Sequence, residues 1–64
     1  MPLGKKLRQL RKLAGLTQEK LARRAGLVPT YVARIEAGTV KSPRIETRRK
    51  LAKALGVSIT ELLD

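Results

Sequence analysis

Glycine recurs along this chain at the ends of apolar-periodic segments, and that punctuation commits it to a set of short helices. Gly15, Gly26, Gly38 and Gly56 each follow such a segment and read as the left-handed residue that closes a helix. Matching starts lie between them: Thr17 ahead of Gln18 and Glu19, Ser42 ahead of Pro43 at a first helical position, and Ser58 with Glu61 as a capping box. Leu16 with Leu21, and Val57 with Leu62, have the spacing of hydrophobic staples across two of these starts. The expectation is five helices, over about 5–14, 18–25, 29–37, 43–55 and 59–63, with Gly4 in a starting tail.

Spacing also assigns the faces. Leu3, Leu7, Leu10 and Ala14 line the first helix, Leu21, Ala22 and Ala25 the second, and Leu51, Ala52 and Leu55 the fourth, so one all-α bundle core is expected. In the third helix Val28, Val32 and Ile35 form the inner stripe. At about 100° per residue, Thr30, Ala33, Arg34 and Ala37 then fall on the opposite side. That outer face is small apart from Arg34, and small enough to press into a groove.

A chain of 64 residues makes one domain at most, here expected over 1–64 as a complete small regulator. With no cysteine and no histidine, disulfides, thiolate metal sites, thiol nucleophiles and the usual general base are all missing. Ser42, Ser58 and Thr17 are better explained as caps than as nucleophiles, so an enzyme is disfavoured and no metal, cofactor or small-molecule ligand is expected. No apolar run approaches the roughly 20 residues of a membrane span, and "MPLGKKLRQL" lacks the pattern of a signal peptide. A cytoplasmic setting is expected. Fifteen Lys and Arg against five Asp and Glu leave a net charge of +10, a strong field for polyanions, of which nucleic acid is the commonest. One tyrosine is the sole aromatic, which leaves little for the base stacking of single-strand binders.

Two short helices joined across Gly26 make the helix-turn-helix pattern, in which the second helix enters the DNA major groove. Alone, the turn fits any helical hairpin. Together, "GLTQEKLARRAGL", "YVARIEAG" and "SPRIETRRKLAKALGVSITELL" resemble the Cro and phage-repressor type of helix-turn-helix domain, the XRE family, from about Leu7 to Leu63. The resemblance implies a compact five-helix bundle of the lambda-repressor-like type, with the helix-turn-helix at about 17–37, that binds operator DNA, usually as a homodimer.

The family pattern places base reading on Pro29, Thr30, Ala33 and Arg34. Arg34 suits a bidentate pair to guanine O6 and N7, and Thr30 suits a base edge or a thymine methyl. The alternatives are a phosphate contact or solvated charge for Arg34, and a hydroxyl satisfying its own backbone for Thr30. The chain departs from the family at Val28 and Pro29, where many members carry polar side chains, so hydrogen-bond readout there is lost. Thr17 and Gln18 open the second helix, whose free amides and positive dipole end favour phosphate; in the family a glutamine here touches the backbone. Lys41 and Arg44 match a segment that the family uses for phosphate contact, with Arg44 placed for the minor groove. For Gln18 the plainer alternative is an exposed helix former, and for Lys41 and Arg44 solvated loop charges.

Arg11 borders the first helix's apolar stripe and Glu36 the third's. As the family has an internal bridge there, a partly buried Arg11–Glu36 ion pair is expected to prop the reading helix, against the alternative of two independent surface charges. Tyr31 is read as partly buried packing. Lys5, Lys6, Arg23, Arg24, Arg48, Arg49, Lys50 and Lys53 are read as solvated faces adding to the long-range field. Leu62 and Leu63 cannot share one narrow stripe, which leaves one for a second subunit or another partner. The whole points to a sequence-specific double-stranded DNA-binding regulator, most simply a repressor; the alternative is an antitoxin-like protein-interaction module.

Overall fold

In the computed structural model, which describes residues 2–63, four α-helices and one closing turn of 3-10 helix surround a single core. They are α1 (Leu3–Leu13), α2 (Gln18–Ala25), α3 (Pro29–Ala37), α4 (Ile45–Leu55) and the turn Ile59–Leu62. No strand occurs among the described residues. Positions 1 and 64 of the expected domain lie outside them.

Leu7, Leu21, Val32, Ile35, Leu51 and Leu62, one or two from every element, are almost wholly buried. Ala22, Ala25 and Ala52 fill the close approaches between helices, and Leu16 seals the connection from α1 to α2. For a chain this short the six large side chains dominate, since truncating one such residue costs about 2–5 kcal/mol of a total near 3–10 kcal/mol.

Six local expectations are corrected by the packing. Gly4 is not in a tail: α1 starts at Leu3, and a Cβ on Gly4 would stand 2.5 Å from the Ile35 carbonyl oxygen and 2.7 Å from that of Glu36. The missing side chain therefore lets α1 lie directly against the end of α3. Ala14 closes α1 in the open rather than lining the core, and Val28, expected inside, is 64% exposed. It is the cap residue of α3, with extended backbone, so helical phase does not apply to it.

The fourth helix starts at Ile45 with Arg44 as its cap, and without a side-chain cap bond. Ser42 and Pro43 are drawn off the helix by Arg48, whose Nε donates to the Pro43 carbonyl (3.0 Å) and whose Nη2 approaches the Ser42 hydroxyl (3.5 Å). The expected fifth helix is four residues of 3-10 turn, where i to i+3 bonds suit so short a piece. Ser58 Oγ accepts from the Thr60 amide at 3.3 Å, but the Glu61 carboxylate does not complete a capping box; it pairs with Lys6 Nζ at 3.1 Å.

Candidate nucleic-acid interface

The hinge between α2 and α3 is built by local rules. Thr17 Oγ1 accepts from the Lys20 amide at 3.1 Å and caps α2. At the other end Gly26 sits at φ 72°, ψ 29°, a conformation costly for any residue with a Cβ. It brings the Gly26 amide to the Arg23 carbonyl (3.3 Å) and the Leu27 amide to the Ala22 carbonyl (2.8 Å), the paired closure that satisfies the last carbonyls of a helix. Leu27 turns inward against the core, the chain extends through Val28, and Pro29 restarts helix at its first position, where its missing N–H is no loss.

The inner side of α3 is then fixed twice. Val32 and Ile35 enter the core, and the Glu36 side chain, 0% exposed, is held by three others. Arg11 grips it with both edges of its guanidinium, Nε to Oε2 at 2.6 Å and Nη2 to Oε1 at 3.1 Å, while its Nη1 donates to the Leu16 carbonyl at 2.8 Å. Gln18 Nε2 donates to Oε1 at 3.0 Å and Arg8 Nε reaches the same oxygen at 3.3 Å. One carboxylate thus ties α1 and the start of α2 to α3, and Arg11 adds the connection between α1 and α2 through the Leu16 carbonyl. Burial pushes the Glu36 carboxyl upward, but the hydrogen bonds from Arg11, Gln18 and Arg8 and the Arg11 charge outweigh it and hold the group below its usual value. The hydrogen bond to Glu36 correspondingly raises Arg11.

The opposite flank is uncovered. Thr30, Arg34 and Ala37 are exposed and Ala33 is half-exposed, with Pro29 exposed at the helix start. Lys41 and Arg44 are exposed on the connection after α3. Thr17 is exposed but already engaged as a cap. Gln18, expected to face a partner, is half-buried and turned toward Glu36, because a buried carboxylate with a spare acceptor site outcompetes solvent for its amide. Arg8 joins this network without a sequence expectation for it; its place one turn before Arg11 on the same edge of α1 is the signal. Arg48, expected on a solvated face, is buried and donates to the Leu62 carbonyl at 3.0 Å as well as to Pro43. Its position one turn before Leu51 and Ala52 put it on the inner stripe all along.

Residues 7–62 match the helix-turn-helix family. The chain belongs to that family. Control protein C.BamHI of Bacillus amyloliquefaciens is 42% identical to it over 62 residues, covering 95% of this chain and 75% of that protein. The HTH-type transcriptional regulator SinR of Bacillus subtilis is 34% identical over 97% of this chain, which spans 56% of SinR. The crystal structure of the restriction-modification controller protein C.AhdI from Aeromonas hydrophila matches with a TM-score of 0.89 at 39% identity, over 95% of this chain and 91% of that one. In this helix-turn-helix chain α2 and α3 pack on one another across the Gly26 turn, and no described helix is long and apolar enough to cross a membrane.

Proposed function

We propose that this protein is a cytoplasmic transcriptional regulator that binds double-stranded DNA sequence-specifically and acts as a repressor by occupying its operator, without chemistry. The observation that carries this is the asymmetry of α3: its back is bolted through Val32, Ile35 and Glu36, while the flank of Thr30, Ala33 and Arg34 is open. Such a helix enters the major groove as a rigid body. Arg34 supplies the bidentate contact to guanine, Thr30 a base edge or methyl, and Ala33 allows close approach. Lys41 and Thr17 lie against phosphate, Gln18 shares its amide between Glu36 and the backbone, and Arg44 reaches toward the minor groove. The net charge of +10 brings the polyanion in.

A homodimer completes the proposal. Leu62 is buried and the neighbouring Leu63 is 43% exposed, so the closing turn offers an apolar side chain to a second copy. Two half-sites then stand about 34–36 Å apart. Selection of bound duplexes from a random pool tests the whole: a paired consensus is expected, with affinity falling at a log-log slope of about −0.9 per neutralised phosphate as salt rises. Equal binding to all sequences, at any salt, overturns sequence-specific regulation.

A further inference from the structure

Among the exposed large apolar side chains, Leu13, Val28, Ile45 and Leu63, Val28 is the one that directly precedes α3 in the chain. It precedes Pro29 and Thr30, both exposed. Its backbone is extended, at φ −76° and ψ 143°, and its side chain is left in solvent at the start of the helix. Neither Val28 nor Pro29 carries a side-chain donor or acceptor, and α3 has no side-chain cap bond. A functional start to α3 is therefore aliphatic where hydrogen-bonding groups would serve both capping and base reading.

Resting on the DNA-reading role of α3, we infer that Val28, with the Pro29 ring beside it, reads thymine through its C5-methyl group. In the major groove every base edge presents a donor or an acceptor, and thymine alone adds an apolar methyl beside its O4 acceptor. Set against Val28 and Pro29, a polar edge gives up its hydrogen bonds to water and gains none. A thymine methyl gives up nothing and removes apolar surface from water on both partners. Val28 is β-branched and stiff at χ1, and the proline ring is fixed, so little freedom is lost on contact. The start of α3 thus selects by shape and desolvation, and Arg34, one turn on, selects by hydrogen bonds. The duplex preferred by the protein carries a thymine in each half-site at the position facing the start of α3.

Replacing single thymines of the selected duplex by deoxyuridine tests this, since only the methyl is lost while pairing and charge stay. At one thymine per half-site, wild-type affinity is expected to fall roughly fourfold, the equivalent of one methyl-sized group returned to water. With Val28→Ala the thymine and uracil duplexes are expected to bind alike, while Arg34→Ala and Thr30→Ser keep the distinction. Val28 is 64% exposed, so the alanine variant is expected to melt with the wild type. A consensus lacking thymine there, indifference to uracil at every position, or discrimination that survives Val28→Ala or follows Thr30→Ser overturns the assignment. Sequence preference itself would persist in each of those outcomes, which separates them from a failure of the DNA-reading role.

Discussion

Replacing Glu36 by alanine removes the acceptor on which Arg11, Arg8 and Gln18 converge. The three partners are not equal. The Arg8 side chain is 51% exposed, so its share is screened by water and lies within about 0–1 kcal/mol. The Arg11 side chain is only 11% exposed; without Glu36 its Nε and Nη2 lose their acceptor while Nη1 keeps the Leu16 carbonyl. Breaking a buried pair from one side costs about 3–5 kcal/mol. The surviving bond and the edge position of Arg11 put the loss at the lower end, about 3 kcal/mol. At about 4–8 °C per kcal/mol for a domain this small, the melting temperature is expected to fall by roughly 12–24 °C. Thermal unfolding followed by circular dichroism at pH 7 reads this directly. Glu36→Gln separates charge from volume and should fall part of the way. Arg11→Met with Glu36→Leu should regain most of the loss, because the pair offsets its own desolvation more than it adds net stability. A Glu36→Ala protein melting within about 2 °C of wild type refutes the reasoning, since it would mean that the network carries under 1 kcal/mol.

The same carboxyl makes stability depend on pH. Its folded value lies below the ordinary one, so its contribution is fully present above the unfolded value of about 4.3 and is lost as pH falls through the folded value; the gap in melting temperature between wild type and Glu36→Gln should narrow as the solution is taken from pH 6 toward 2, and a constant gap contradicts this. Arg48→Met keeps most of the volume but takes the donors from the Pro43 and Leu62 carbonyls; a loss of about 2–4 kcal/mol in urea unfolding is expected, with no change equally decisive against it. Gly4→Ala improves helix propensity by up to about 1 kcal/mol, yet its Cβ meets two backbone oxygens of α3; the variant should be less stable than wild type, and a more stable one shows that α1 shifts freely.

Much of this was legible because it is local. Gly26 and Thr17 announce the ends of α2 through backbone chemistry that neighbours do not alter, and the Val32 and Ile35 spacing sets the phase of α3. Most of the misses have a different cause: they turn on side-chain or packing contacts that helical periodicity does not encode. Gly4 is helical because the carbonyls of Ile35 and Glu36 come to meet it. Ser42 and Pro43 leave α4 because Arg48 holds them. Glu61 abandons its cap for Lys6, and the bond from Gln18 to Glu36 joins residues 18 positions apart. Val28 has a simpler reason: it stands one residue outside α3, where helical phase does not set the side-chain direction.

Whether the open flank of α3 enters the major groove is tested most directly by methylation interference on the selected duplex. Methylating guanine N7 blocks the acceptor that Arg34 is proposed to use. One guanine per half-site is expected to abolish binding of the wild-type protein when methylated and to be tolerated by Arg34→Ala. Interference by no guanine, or the same interference in both proteins, contradicts insertion of that flank.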